Sequence, residues 1–372
     1  MTSPMDDLHP HHPRWRPPFC PNPKCIHHKR LTGTWRYKRH GFYFRQHAPH
    51  RIRRFLCLAC RRSFSCQTFS PDYWLKRPDI FSQLMTKTCG GMANRQIARD
   101  LDVSPNTIDR QLDRLGRHCL LFHQQQLDNM LPVRDITIDG FETFEFSQYY
   151  PFHFHLAVES SAGVFLGFTD SPLRRKGRMT AYQKRRRGEL EARFGRPDPQ
   201  AVRKDVGELL TIVAGGSLRL TIRSDDHRSY PAAICRFPGL VTHRVTSSKE
   251  RRDRRNPLWE VNLLDLLIRH SSGGHKRETI AWPKRRNGAA LRLAVFIVWR
   301  NWVNRRWQKR CRKTPAMEAG WSERALSVDD VLRTRLFPSR VELPERWRRY
   351  YAGEVETPAL GVNRRHELTY AA

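Results

Sequence analysis

The stretch Ser217–Tyr230, SLRLTIRSDDHRSY, decides the fold. Leu218, Leu220 and Ile222 alternate with polar residues and then give way to a carboxylate pair, Asp225 and Asp226. A strand turns successive side chains to opposite faces, so such a segment delivers its last residues to one rim of a sheet, where a metal or substrate can reach them. Taken alone, the segment reads as a strand ending in an Asx-type turn, because Asp is favoured in turns for its own backbone hydrogen bonds. The elements on either side reverse that reading.

Upstream, DITID (135–139) is a strand with Ile136 and Ile138 inward. FHFHLAVE (152–159) alternates Phe152, Phe154, Leu156 and Val158, and VFLGF (164–168) is a third strand. Residues 172–198 are basic, lack apolar periodicity and read as a solvated arm or loop. DPQAVRKDVGELLTIV (198–213) sets Val202, Val206, Leu209, Leu210 and Val213 on one helix face, with Asp198 near the cap. Downstream come a short helical segment from Pro231, a strand LVTHRVT (240–246), and a helix that Asn256 caps and Pro257 starts. Three strands, helix, strand, short helix, strand, helix is the ribonuclease-H-like order. In that fold the first strand, the end of the fourth and the following helix each supply one carboxylate. Asp139 and Asp225 take the first two places; Asp226 reads as their neighbour, and Glu142 and Glu145 as surface acids.

The 372 residues carry 68 Lys+Arg against 36 Asp+Glu, a formal charge of +32. Such a chain repels itself unless a polyanion is near, so nucleic acid is the expected partner. The apolar run Leu291–Val303 is broken by Arg292, Arg300 and Asn301 and is too short to span a bilayer, and the N-terminus lacks the apolar core of a leader.

Nine cysteines in a reducing compartment are read for metal first. Cys20 and Cys25 form a C-x4-C knuckle, Cys57 and Cys60 a C-x2-C knuckle, with 31 residues between the pairs. Two such knuckles give zinc its four tetrahedral ligands and staple a segment with little core. Four free thiols are the competing reading; Cys66 is a spare, like Cys89, Cys119, Cys235 and Cys311, all expected buried. The stretch between the knuckles interleaves aromatic and basic residues, as a ribbon that touches DNA would.

Next, DIFSQLMTKTCGG, NRQIARDL and SPNTIDRQLDRLGRHCLLF read as three helices, the last after a tight turn DVS, with Ser104 as N-cap and Pro105 as first residue. In a helix-turn-helix, Asn106, Thr107 and Arg110 would meet base edges, and Arg95 and Arg99 phosphates. Ile108, Leu112, Leu115, Cys119 and Phe122 form a stripe that is core before it is a dimer seam, and a plain three-helix bundle competes with the whole unit. Near the end, NGAALRLAVFIVWRNWVNRRWQKR reads as a helix with Leu291, Val295, Val298 and Trp302 on its apolar face and Arg305, Arg306, Lys309 and Arg310 at a phosphate-contacting end. The tail after 311 carries Trp321, Phe337, Trp347 and Tyr350 without a readable role.

With ribbon, helical reader and acidic core in sequence, the chain resembles bacterial insertion-sequence transposases of the DDE type over most of residues 16 to 310. The resemblance rests on RRFLCLACRRSFS, RQIARDLDVSPNTIDRQLDRLGRHC, ITIDGFETFE, SDDHRSYP and IRHSSGGHKRETIAWPKR, and on their order. It implies an α+β multidomain chain: an N-terminus without order (1–15), a zinc ribbon (16–70), a helix-turn-helix (71–132), a ribonuclease-H-like mixed sheet with flanking helices (133–310, basic insertion about 172–198) and a C-terminal extension (311–372). It also implies Mg²⁺ or Mn²⁺ on Asp139 and Asp225, Zn²⁺ on the four cysteines, and cleavage and strand transfer on double-stranded DNA at terminal inverted repeats and target. The expected setting is the bacterial cytoplasm at the nucleoid, with no membrane and a dimer or larger assembly on DNA.

The third acid departs from the family pattern. Glu260 stands at the usual interval, with 34 residues between it and Asp225, but an ungapped match through Arg269 and RETI places Asn262 where the family has Glu. Asn262, Asp265 and Arg269 share a helix face that Glu260 does not, so Asp265 is preferred and Glu260 is the alternative. The competing functions are a non-catalytic DNA-binding regulator derived from a transposase and, more weakly, an RNA-binding protein.

Overall fold

A computed structural model describes residues 8–29, 35–130, 132–214, 217, 219–276, 278–307 and 312–363. The first sheet is an antiparallel ribbon of β1 (Tyr37–Phe44), β2 (Arg51–Cys57) and β3 (Ser63–Ser65), in that order. Its small core holds Ile52, Phe55, Phe64 and Phe69 beside the cysteines. Within the stretch expected to lack order, Trp15 is buried there, 5.2 Å from Phe69 between ring centroids.

Three helices follow: α1 (Phe81–Cys89), α2 (Asn94–Asp100) and α3 (Pro105–Asp128). The start of α3 follows from its sequence, since Ser104 Oγ accepts the Asn106 N–H at 3.3 Å and Pro105 opens the first turn. Asp102, at φ +48, makes the tight turn between α2 and α3. Ile108, Leu112, Leu115, Cys119 and Phe122 are all buried, so the stripe is core.

The larger sheet has five strands: β4 (Asp135–Phe144), β5 (Pro151–Glu159), β6 (Phe165–Pro172), β7 (Arg219–Asp225) and β8 (Leu240–Thr246). Their spatial order is β6-β5-β4-β7-β8, with β5 antiparallel to β4 and β6, and β7 parallel to β4 and β8. The helices are α4 (Ala181–Phe194), α5 (Ala201–Ala214), α6 (Ser229–Ile234), α7 (Trp259–Ser271), α8 (Arg286–Val298) and α9 (Glu345–Ala352). One face of the sheet packs Ile136, Ile138 and Ala157 with α5 and α6; the other packs Phe141, Phe154 and Leu156 with α7, α8 and α3. Cover on both sides is why β5 is buried at nearly every position. Leu218 lies outside the described residues, whereas Leu220 and Ile222 are buried as expected.

Several expectations are corrected. The basic insertion contains the helix α4, none of whose residues is buried. Its start is a capping box between Thr180 and Gln183, a signal separate from apolar periodicity. Helix α7 starts at Trp259 rather than at Pro257, and Asn256 Oδ1 accepts the Leu258 N–H at 2.8 Å in the turn ahead of it. Helix α8 is buried on nearly every side, Arg286 and Asn287 included, being enclosed between the sheet and α3. Glu145 is buried rather than at the surface, with its carboxylate taking the Arg286 N–H at 3.1 Å. Arg306, expected at a phosphate-contacting end, is held between Glu260 and Glu318. Cys235 is exposed, and Lys309, Arg310 and Cys311 lie outside the described residues.

The C-terminal segment is structural. Trp347 and Tyr350 are fully buried, and the Trp347 indole donates to the Phe168 carbonyl at 3.0 Å. Arg346 pairs with Asp170, Asp205 and Glu208, and Phe337 enters the ribbon core beside Phe19 and Phe69. Among the described residues, no helix is long and apolar enough to cross a membrane.

Candidate functional sites

The four knuckle cysteines converge. Their Sγ atoms all lie within 4.8 Å of one another, with Cys20 to Cys60 at 3.7 Å and Cys25 to Cys57 at 4.0 Å. Tetrahedral zinc with bonds of about 2.3 Å sets its sulfurs roughly 3.8 Å apart, so the donor set fits that ion. The backbone folds for this purpose: Arg61, at φ +58, turns the second knuckle and donates its N–H to the Cys57 carbonyl at 3.0 Å. Burial opposes ionisation of Cys57, but hydrogen bonds from the Cys60 and Ala59 backbone and the Trp35 indole outweigh it and bring the thiol to about 7. Burial raises the Cys20 and Cys25 thiols instead, so of these three Cys57 alone is favoured as thiolate near neutral pH without metal. Cys66 stands apart, with its Sγ 3.5 Å from His11 Nδ1.

The acids are placed by strand register. Asp135, Ile136 and Thr137 of β4 lie beside Thr221, Ile222 and Arg223 of β7. Asp139 and Asp225 each stand two residues further along, so they are level on adjacent parallel strands. Gly140 follows because β4 and β5 are too close for a side chain: a Cβ there would lie 1.9 Å from the Phe154 carbonyl oxygen. Burial, then the Asp225 carboxylate, push Asp139 up to about 7; Asp265 acts in the same direction, against a hydrogen bond from the Gly140 backbone and the charge of Arg252. A buried carboxyl pushed up in this way by a second carboxylate marks a site that a divalent cation would relieve. Asp225 Oδ1 takes the His227 N–H at 3.0 Å. Asp226 turns away, taking the Ser248 N–H at 3.3 Å.

On α7, Asp265 is ion-paired with Arg269 at 3.0 Å, and that guanidinium stands 4.9 Å over the Phe141 ring, two residues beyond Asp139 on β4. Glu260 lies elsewhere. It is paired with Arg306 at 2.6 Å, and a Cβ on Gly163, in the β5–β6 turn, would meet its carboxylate. Burial raises Glu260 despite Arg306. Among the described residues, the cysteines are the only group of three or more His, Cys, Asp or Glu with ligand atoms all within 4.8 Å of one another, so Asp139, Asp225 and Asp265 are not drawn together to that degree.

At the helical unit, Arg95, Arg99, Asn106 and Arg110 are exposed and Thr107 is half-buried. A shallow cleft of about 410 Å³ between α2 and the start of α3 is lined by Arg95, Arg99, Ser104 and Pro105.

Sequence reasoning missed a buried chain of polar groups behind the acids. Ser171 Oγ donates to Asp205 at 2.6 Å and meets His155 Nε2 at 2.8 Å, and His155 Nδ1 lies 3.1 Å from His153 Nδ1. Its members come from β5, β6 and α5, and Arg346 closes it from the C-terminal helix, so no local pattern announces it. The His-x-His alternation on β5 was its one visible trace.

No family model and no curated protein matches the chain. Among solved structures, the simian T-cell lymphotropic virus intasome in complex with PP2A regulatory subunit B56 gamma matches at 14% identity and TM-score 0.25, over 50% of this chain and 53% of that one. The HTLV-2 integrase catalytic core domain in complex with magnesium matches at 12% identity and TM-score 0.18, over 50% of this chain and 94% of that one. This chain thus spans about half the length of the first neighbour. Likenesses this distant carry no argument about chemistry, which rests on the residues.

Proposed function

We propose that the chain is a DNA transposase of the DDE type, cutting and joining strands at element ends with Mg²⁺. The reading is carried by one observation: Asp139 and Asp225 stand level on adjacent parallel strands, with Asp265 of α7 close enough to add to the upward shift of Asp139. The strand order β6-β5-β4-β7-β8 supports a ribonuclease-H-like core. In the mechanism, Asp139 and Asp225 would hold the divalent cations and Asp265 would complete the set. When bound, the ions activate a water or 3′-hydroxyl and neutralise charge on the leaving oxygen. Gly140 lets β4 and β5 close up beneath the acid, and Arg269 orients Asp265. The exposed Arg95, Arg99, Asn106 and Arg110, with Thr107, read duplex DNA, and the zinc ribbon adds a second contact.

The test is Mg²⁺-dependent cleavage of a duplex carrying the element's end. Asp139→Asn and Asp225→Asn should abolish cleavage and leave end binding within about twofold, because neither touches the DNA-reading surface. Wild-type protein that binds ends but never cleaves would leave the regulator reading standing.

A further inference from the structure

The outward face of the β1–β2 hairpin is built as no solvent-facing sheet needs to be. In the ladder, Phe42 lies opposite Arg53 and Phe44 opposite Arg51, while Tyr43 lies opposite Ile52. Period two therefore puts Phe42, Phe44, Arg51 and Arg53 together on one face, and Ile52, fully buried, on the face that covers the ribbon core. The two rings are left in water: Phe42 is 42% exposed and Phe44 77%. Arg51 stacks its guanidinium 3.8 Å over the Phe42 ring, which fixes a flat, cationic surface beside Phe44. Gly41, at φ +73, sits in the irregularity between Arg39 and Phe42 that re-aims the strand. Trp74, 73% exposed, follows shortly after the ribbon.

Charge selects the occupant. No acidic residue occurs between Asp7 and Asp72, so the whole hairpin is cationic without internal compensation. Phosphate alone would be satisfied by the arginines and would leave two phenyl rings in water. A duplex offers no base faces along its length, because they are stacked inside. An unpaired strand offers both phosphates and open base faces, the combination that aromatic–basic grooves take.

We propose that this face binds single-stranded DNA, with bases stacked on Phe42 and Phe44 and phosphates on Arg51 and Arg53. It rests on the DNA reading above and deepens it: the strand freed when an element end opens is the substrate this face would hold.

The experiment uses the full, zinc-loaded chain with fluorescent oligothymidylate and a mixed-sequence duplex of equal length as probes. Phe44→Ala and Phe42→Ala should each weaken single-strand binding about tenfold while leaving duplex binding within about twofold. Phe44→Trp should retain affinity, and its fluorescence should be quenched as oligothymidylate is added. Unchanged zinc content certifies the fold of each variant. Equal losses on both probes would make the face a duplex contact and overturn the proposal. So would stronger binding of oligouridylate than of oligothymidylate, or unchanged binding with a loss of self-association in sedimentation. If the wild type binds neither DNA probe, the DNA reading itself fails; if it binds the duplex and Phe44→Ala changes nothing, only this inference fails.

Discussion

Arg306 holds Glu260 with its Nη2 2.6 Å from Oε1, and both side chains are at most 13% exposed. Glu260 is thus committed to an ion pair beside the β5–β6 turn, whereas Asp265 raises the pKa of Asp139. Losing Glu260 leaves Glu318 facing Arg306, so the cost is that of one charged hydrogen bond rather than of an unpaired charge. Glu260→Gln should therefore cost about 2 kcal/mol of stability and leave Mg²⁺-dependent cleavage, measured below the melting transition, within about threefold. Asp265→Asn should do the reverse, losing about a hundredfold or more in cleavage with little loss of stability. Loss of cleavage in Glu260→Gln alone would return the third place to Glu260.

The raised pKa of Asp139 makes a pH prediction whose sign is fixed. In the metal-free fold its carboxyl titrates near 7, above the ordinary value of 3.8. The protonated form is the stabilised one, so the contribution is fully present below the unfolded pKa and is lost as pH rises through 7. Chemical denaturation without Mg²⁺ should show wild type falling relative to Asp139→Asn between about pH 4 and 8, by an amount on the order of 4 kcal/mol. Added Mg²⁺ should remove the difference, and its affinity should rise with pH up to about 7 and then level off. A difference that does not change with pH would contradict this.

What was legible in the sequence were short-range signals. Ser104 and Pro105 mark the start of α3, and the two knuckle spacings bring four thiols together. That β4, with Asp139, and β7, with Asp225, are neighbouring strands was also legible, because element order fixes which strands lie side by side. What escaped were partners far apart in the chain. Glu145 looked like a surface acid because its partners, Arg286 and Thr357, come from the two ends of a later segment. Arg306 looked like a basic-patch residue because its acids, Glu260 and Glu318, lie 46 positions before it and 12 after it. Helix α4 escaped for a different reason: it packs no face, so it leaves no apolar period to read.

The ribbon is tied to the C-terminal segment. Phe337 is buried against Phe19 and Phe69, Ser339 Oγ lies 2.6 Å from His28 Nε2, and the Arg335 N–H donates to the Phe69 carbonyl at 2.8 Å. Cys57→Ser should abolish stoichiometric zinc and, because this small core depends on the knuckles, release residues 335–341 as well. Hydrogen exchange should show lost protection in both segments together. Loss confined to the ribbon would show that the C-terminal segment holds by its own packing.

With a formal charge of +32, binding to duplex DNA should weaken steeply with salt. If α3 carries the reader, Arg110→Ala should reduce discrimination between end and random duplex by about 1–3 kcal/mol, with non-specific affinity nearly unchanged. Arg99→Ala should do the opposite, weakening both duplexes alike and lowering the salt slope by about one. Titrations of both duplexes at several salt concentrations separate the two; a flat salt response would contradict the phosphate contacts.

Gly116 of α3 lies against Leu291 of α8 so closely that a Cβ there would stand 2.5 Å from the Leu291 carbonyl oxygen and 2.6 Å from its Cβ. The obstacle is largely backbone, which cannot rotate away as a long side chain could, so the two helices must separate to admit a methyl group. Leu112, Leu115, Cys119, Ala290 and Leu293 share the core at this crossing and would lose contact together. Alanine is the better helix former in isolation, by roughly 1 kcal/mol over glycine, so propensity and packing oppose each other here. Packing should win: Gly116→Ala should destabilise by about 1–3 kcal/mol, read as a lower denaturation midpoint with an unchanged slope. Gly188→Ala in the exposed helix α4, where a Cβ meets nothing within 4 Å, supplies the propensity term alone and should be stabilising. If both substitutions stabilise equally, α3 and α8 do not pack as closely in solution, and α3 is not fixed to the core through this crossing.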